Sequence, residues 1–406
     1  MDGIGIAGAG VAGLHLGLLL RRNDIPVTLY SDRTPEQLGS GRLPAAVAHH
    51  DTTLARERAL GVQHWSAAEY GYDVHHHYVG GPLQARFTGS LGAPSRAVDY
   101  RMYLPRLLRD FTDAGGKLDI RSIAPQDLTE LSQRHELVVV ATGRSGLSGV
   151  FERVAAKSPF TSPQRKLCAG LYTGVAAADP PGVTLSIAPG DGELIEIPMH
   201  SFAGSVTALF FEAVPGGAFE ALVETDQSAD PAAFRDRVLR VLREHHPSVH
   251  ERVEPARFGL TDELDLVQGA ITPRINEDYA LLDNGRPVVA LGDAHAVVDP
   301  VVGQGANCAS YSAWQLGQTI LQDPNFDERF CGKVAERRRD RVHATSDWTN
   351  LMLEVPPPQH LLEMITAMSR ERAVADVFTG NFNHPDRQWD ILATPERTRA
   401  FLSRMS

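Results

Sequence analysis

Long apolar runs are missing from this 406-residue chain; the longest, around 16–20, is far too short to cross a bilayer. Lysine is nearly missing as well. Of 39 basic residues only Lys117, Lys157, Lys166 and Lys333 are lysines, a bias that points to genome base composition rather than function. With 50 acidic residues the net charge is −11, which argues against nucleic acid or an anionic membrane as a partner. Cysteine is scarce: Cys168, Cys308 and Cys331 are odd in number, far apart and form no Cys-x-x-Cys pair. That suits reduced thiols in a cytoplasmic enzyme. Asp2 stands where a secretory signal would carry a basic region, so no signal peptide is expected. Repeats and low-complexity tracts are absent. The one dense basic run, 337–341, reads as a solvated helix face. The remainder, 43% hydrophobic and 22% charged, is that of a soluble globular chain long enough for two interleaved domains.

What the chain does have begins almost at its first residue. An apolar strand over 4–7 runs into Gly8, Gly10 and Gly13, and an apolar helix over 14–20 leaves them. In a dinucleotide-binding turn the first glycine permits the tight bend and the second lets the backbone approach a pyrophosphate. The third lets helix pack on strand. The helix N-terminus adds unpaired N–H groups and partial positive charge. A second strand over 26–30 ends before Asp32, 19 residues past Gly13, near where a ribose-binding carboxylate is expected.

A distant element chooses the nucleotide. The strand 288–291 delivers Gly292 and Asp293, and a loop containing Pro300, Gly303 and Gly305 opens a helix at about Ala306. A carboxylate at a strand end can hold a ribityl or ribose hydroxyl. Glycines let backbone N–H groups lie against a planar ring, and a helix N-terminus favours the negative N1–C2=O edge of a reduced flavin. A nicotinamide dehydrogenase has no use for this second element, so FAD is the expected cofactor.

Between these ends the pattern changes. Residues 100–114 read as a helix and 136–141 as a buried strand ending at Ala141, Thr142 and Gly143. The segments 183–187, 193–198 and 206–212 read as antiparallel strands separated by Pro-Gly turns, 231–244 as an amphipathic helix, and the chain beyond 340 as helical. The expected class is α/β. Residues 1–44, 96–165 and 276–345 would form a discontinuous Rossmann-like FAD domain. Residues 45–95 and 166–275 would form an inserted antiparallel-sheet substrate domain, and 346–406 a helical C-terminal segment.

The pairing of Gly8-Ala9-Gly10-Val11-Ala12-Gly13 with Gly292-Asp293 and with Asp299-Pro300-Val301-Val302-Gly303-Gln304-Gly305-Ala306-Asn307 resembles the flavoprotein monooxygenases of the p-hydroxybenzoate hydroxylase fold. The stretches 12–18, 78–82, 93–101, 192–198, 303–307 and 382–389 resemble, more narrowly, the epoxidase component of two-component styrene monooxygenases. The likeness covers essentially the whole chain. It implies a cofactor set of Gly8, Gly10, Val11, Ala12, Gly13, Asp32, Arg33, Arg42, Arg101, Thr142, Gly143, Gly292, Asp293, Gly303, Gln304, Gly305, Ala306 and Asn307, with Pro300, Val301, Val302 and Gly303 as the loop facing the flavin. It further implies that a separate NADH-dependent flavin reductase supplies diffusible reduced FAD. O2 then adds as co-substrate to form a C4a-hydroperoxyflavin, whose electrophilic oxygen passes to an aryl alkene with no acid or base from the protein. The absence of a second Gly-x-Gly-x-x-Gly agrees with external reduction. So does Asp99-Tyr100, where single-component hydroxylases commonly carry Asp-Gly.

The resemblance places Ala45, Val47, His49, Tyr72, His75 and Ser95 in the substrate pocket. Val47, His49, Tyr72, His75 and Ser95 match styrene-type members, whereas indole-type relatives replace them; Ala45 departs from the usual Asn. His75 and His77 would share one face of a strand, with His49 and His50 nearby, but no Cys or acid stands at metal spacing, and no metal is expected. His50 and His76 read as satisfied or solvent-facing. Rival readings are an indole-type monooxygenase, a single-component NAD(P)H hydroxylase, a flavin-dependent halogenase and a non-catalytic flavin carrier. The halogenase lacks support because Trp65, Trp314, Trp348 and Trp389 never stand two apart, as its Trp-x-Trp element requires. A homodimer is compatible with the chain.

Overall fold

The computed structural model describes residues 2–144 and 146–405; Met1, Ser145 and Ser406 lie outside them. Two sheets organise the chain. The first has six strands in the order Tyr279–Leu281, Pro287–Ala290, Leu137–Val140, Ile4–Ala7, Val27–Ser31 and Lys117–Ile120. All neighbours are parallel except the first two. Ile4–Ala7, Val27–Ser31 and Leu137–Val140 are buried at every position, as continuous apolar runs should be in a parallel sheet covered on both faces. From Ile4–Ala7 the chain passes first to one side, to Val27–Ser31, and later to the other, to Leu137–Val140. Its carboxyl edge is therefore a topological switch point, where such sheets bind ligands.

The helix Val11–Arg21 covers this sheet and is buried from Val11 to Leu20. The helix Gly305–Gln322 crosses it so closely that a Cβ on Gly317 would stand 2.4 Å from Leu19 Cδ2. The helix Glu328–Met352 packs beyond it, and the basic run within this helix is not wholly solvated. Arg338 is fully buried, with Nε 2.6 Å from Asp278 Oδ1 and Nη1 donating to Ala290 O at 2.7 Å. A guanidinium fork so satisfied anchors the helix to the sheet.

The second sheet is nine-stranded and runs from Gly259–Leu260 through Lys166–Thr173, Gly204–Ala213, Gly192–Ser201, Gly182–Ala188, Gly71–Val79 and Ala85–Ala97 to Ala48–His49. Leu266–Ala270 pairs beside the first of these on Lys166–Thr173. Gly71–Val79 and Gly182–Ala188 pair parallel; the other partners are antiparallel. Alternation gives this sheet two apolar faces. Leu194, Leu209 and Phe211 pack on Phe234, Val238 and Leu242 of the helix Pro231–His245, which Asp230 caps through Ala233 N at 2.9 Å. Ile195, Ile197 and Phe210 face the other way, towards the first sheet.

The long strand Ala85–Ala97 escapes sequence reading because Gly89, Gly92 and Pro94 interrupt it. Its reason is tertiary. The C-terminal helix Arg372–Gly380 lies directly on it, and a Cβ on Gly89 would stand 2.0 Å from Thr379 Oγ1 and 2.6 Å from Ala375 O. Backbone oxygen cannot move aside. Gly89→Ala should therefore destabilise the protein by ~1–3 kcal/mol through overpacking, read from denaturant unfolding. An unchanged midpoint would show that the helix does not press on this strand.

Candidate active site

The two sheets enclose a cavity of about 760 Å³ that runs from the glycine turn to the second sheet. At its first end, the strand Ile4–Ala7 turns at Gly8, whose φ of +119° and whose missing side chain are both needed, since a Cβ would lie 2.2 Å from Ala141 O. A Cβ on Gly13 would lie 2.0 Å from Gly8 O, so this glycine permits helix and turn to touch. Gly10 is different. Its backbone is extended (φ −80°, ψ −176°) and a Cβ there meets nothing within 4 Å. The space it leaves open belongs to the cavity. Val11, Ala12, Asp32, Arg33, Thr142, Gly143, Gly292 and Asp293 line the same end. Asp32 and Arg33 stand 3.7 Å apart at the end of Val27–Ser31. Thr142 Oγ1 is buried with no partner. A nucleotide's phosphates and hydroxyls fit these residues: an open backbone approach at Gly10, a helix N-terminus, a carboxylate on each side and one orphaned hydroxyl.

The middle wall is the loop after Pro287–Ala290. Asp299 caps a short turn, Pro300–Val302, by accepting from Val301 N at 3.2 Å. Gly303 follows at φ +60°, with nothing within 4 Å of where its Cβ would be. Pro300, Val301, Val302, Gly303, Gly305 and Ala306 all line the cavity, so a flat ring could lie against backbone here. Gln304 and Asn307 do not. Gln304 Nε2 donates to Phe382 O at 3.0 Å. Asn307 ties the loop to the second sheet: Oδ1 accepts from His50 N and Thr53 Oγ1, while Nδ2 donates to Ala48 O and Gly303 O. Arg42 and Arg101 also stand outside the cavity. Arg42 donates to Leu266 O at 2.9 Å, and buried Arg101 is held between Asp99 and Asp265. These four, with Gly13, were expected at the cofactor but do not line the cavity.

The far end is apolar. Leu167, Val183, Leu185, Ile195, Ile197 and Phe210 wall it from the second sheet, with Ala45, Val47, Val301, Val302 and Phe382 opposite. Of the residues expected at the substrate, Ala45, Val47 and His75 line it, while His49, Tyr72 and Ser95 do not. His49 Nδ1 lies 2.7 Å from Glu57 Oε1 and its Nε2 2.8 Å from Tyr100 OH. It reaches the cavity only through Tyr100, which does line it. Burial pushes the Glu57 carboxyl up, but His49 and the Arg96 guanidinium outweigh that and hold it at about 2. Tyr72 and Ser95 face each other across the hairpin, and Ser95 Oγ stands 2.8 Å from His50 Nδ1.

His50, expected to be satisfied or solvent-facing, instead lines the cavity together with His75. It is 3% exposed, its Nε2 has no partner, and burial pulls its imidazole down to about 3. His75 is likewise buried with both ring nitrogens unpartnered, and burial keeps it neutral. Both rings meet Phe382 edge to face. Sequence reasoning missed His50, Tyr100 and Phe382. The only signal was alternation beyond a two-residue strand, where one position of register decides which histidine faces inward. With neutral imidazoles and phenols as its polar groups, this end can orient a ligand and exclude water but carries no charged acid or base.

Because Gly10 is open in the protein itself, Gly10→Val should unfold within ~0.5 kcal/mol of the wild type, yet bind FAD more than about tenfold weaker because its side chain takes phosphate space. Denaturant unfolding and flavin fluorescence titration read the two effects. Unchanged FAD affinity in a folded variant would remove the cofactor from this turn.

Comparison with known proteins follows the same division. A family model described as the styrene monooxygenase A putative substrate binding domain matches residues 143–252. "Styrene monooxygenase StyA" of Pseudomonas fluorescens is 48% identical over 397 residues, covering 97% of this chain and 96% of its own. A protein of the same name from Pseudomonas sp is 47% identical over 406 residues, covering 99% and 98%. Among solved structures, the flavin-dependent brominase Bmp2 superposes with a TM-score of 0.69 over 100% of both chains at 13% identity, a likeness of fold alone. The fold is that of the p-hydroxybenzoate hydroxylase type, and with near full-length identity of this order the chain belongs to the styrene monooxygenase StyA family.

Proposed function

We propose that the protein is the epoxidase component of a two-component system: it takes reduced FAD from a separate NADH-dependent flavin reductase and O2, and epoxidises styrene-like aryl alkenes. The observation that carries this reading is the cavity, with a glycine-lined phosphate end joined to a closed apolar end, in a chain whose relatives are named for styrene. We further propose that residues 1–44, 96–165 and 276–345 act as the FAD domain and the intervening segments as the substrate domain, in a cytoplasmic protein. Among the described residues no helix is long and apolar enough to cross a membrane.

Reduced FAD, when bound, supplies the activation of O2 and the electrophilic oxygen. The chain's own residues do the rest. Gly10 and the helix Val11–Arg21 hold the phosphates, and Asp32 and Asp293 are placed to hold hydroxyls. The loop Pro300–Val302 with Gly303 presents backbone to the ring. Ile195, Ile197, Phe210 and Val302 bury the aryl group and exclude water, whose proton transfers would otherwise release the activated oxygen as hydrogen peroxide. His50 and His75, held neutral by burial, offer ring nitrogens for hydrogen bonds without placing charge in a dry site. Positioning, rather than proton transfer, is the protein's contribution.

External electron supply predicts that the isolated protein with FAD, styrene and NADH consumes NADH at a negligible rate, and that adding a flavin reductase switches on styrene oxide formation. Rapid, substrate-stimulated NADH oxidation by the protein alone would overturn the two-component reading.

Substrate preference rests on cavity shape, because the oxidant discriminates poorly and one methylene is worth only ~1–3 kcal/mol in an apolar pocket. Styrene and indole in competition, with reduced FAD and O2 supplied, should give styrene oxide as the main product and indole turnover as the slower reaction. Indole oxidised far faster, or no epoxide, would favour the indole-type reading while leaving the flavin chemistry intact.

A further inference from the structure

Glu212 and Asp299 form a pair of carboxyls with no counter-charge of their own. Glu212 lies on the strand Gly204–Ala213, two residues beyond Phe210 and so on the same cavity-facing side of the sheet. Its cross-strand neighbours in register are Glu193 and Leu167. Asp299 begins the loop that forms the middle wall of the cavity. Both residues are 0% exposed. Neither oxygen of Glu212, nor Oδ2 of Asp299, meets a donor from the rest of the protein; Asp299 Oδ1 is occupied by Val301 N.

The other charged groups facing the pair are Arg165 and Glu193. Arg165 spends its fork on Glu193, at 2.7 and 2.8 Å, and its remaining nitrogen on the Gln164 and Leu353 carbonyls. One cation therefore balances one anion, and two carboxyls remain in a dry place. Two ionised carboxylates in contact there would cost far more than one retained proton. The proton also supplies the single donor that the pair lacks.

We propose that Glu212 is a positioning residue: kept as a neutral acid, it donates its O–H to Asp299 and clamps the loop Pro300–Val302 and Gly303 in the shape that receives the flavin ring. Burial first, and the Asp299 carboxyl second, push Glu212 well above the usual carboxyl range; burial pushes Asp299 up as well. The pair thus loses its proton on the alkaline side, where two like charges would force the loop away from the sheet. The inference rests on the reading of this cavity as a flavin site.

The test compares wild type with Glu212→Gln, whose amide can donate but not ionise, and Glu212→Leu, which fills the volume without a donor. Wild type should lose FAD affinity as the pH is raised from neutral into the alkaline range, because the buried pair must then give up its proton. E212Q should remain flat across that range, with affinity at pH 7 within about threefold of wild type, and E212L should bind about tenfold weaker at pH 7. Infrared spectra of the apoprotein supply a readout independent of flavin and of folding differences: wild type at neutral pH should show a protonated carboxyl C=O band that is missing from E212Q. An E212Q profile that declines like wild type, an E212L affinity equal to wild type, or the lack of that band would each overturn the proposal. Failure of wild type to bind FAD at any pH would instead overturn the flavin reading, while the infrared comparison would still decide the state of the pair. If E212L fails to fold, the E212Q profile and the infrared band decide alone.

Discussion

Asn307 uses every hydrogen-bonding position of its amide, two accepting and two donating, and each goes to a different partner. One of them, Gly303 O, belongs like Asn307 itself to the loop and helix that follow the first sheet. The others, His50 N, Thr53 Oγ1 and Ala48 O, belong to the chain that enters and leaves the edge of the second sheet. This clamp ties the loop that walls the cavity to the edge of the second sheet. Loss of the amide would leave buried N–H and C=O groups unpaired, at ~1–3 kcal/mol each. It would also free the loop from the strand that places His50. The loop wall and the second-sheet wall of the cavity are therefore not independent surfaces.

Behind that clamp lies a second polar layer. Glu57, fully buried, holds His49 and Tyr103 OH and pairs with Arg96. His49 in turn holds Tyr100 at the cavity. This charge is satisfied by charge behind the wall, so the apolar end of the cavity meets only neutral side chains, and charged groups such as Asp32, Arg33 and Asp293 line its other end. An ionised side chain at the apolar end would attract water into a space that is otherwise dry.

The same arrangement explains how one fold serves different oxidations. The brominase shares the architecture at 13% identity, so the fold by itself does not specify a substrate. In this chain the second sheet turns Ile195, Ile197 and Phe210 into the cavity. Function in such a fold is a matter of the site.

Much of the first sheet was legible in the sequence because its signals are local. A glycine at φ of +119° and a helix of buried leucines lie within one short stretch of chain, from Gly8 to Leu20, and the strand 288–291 with Gly292 and Asp293 is another such unit. The strands expected at 4–7, 26–30, 136–141 and 288–291 are found to within one residue, while Lys117–Ile120 and Tyr279–Leu281 of the same sheet carried no such signal. The strand Ala85–Ala97 was hidden because Gly89 answers to a helix almost 300 residues away. His50 and His49 could not be told apart, since one step of register exchanges the faces of a strand, and the register is set by Asn307 and Ser95. Arg42, Arg101, Gln304 and Asn307 belong to the right neighbourhood, yet only packing turns them away from the cavity towards carbonyls and carboxylates. Glu212 sits on a strand of the second sheet and Asp299 in the loop after Pro287–Ala290, so their proximity has no local signal. By itself the sequence determined where backbone could approach a phosphate and which segments had to be buried, for these depend on local conformation and apolar content. Which polar groups would face the ligand, and in which protonation state, was decided by the tertiary structure, because burial and long-range partners do not exist until the sheets meet.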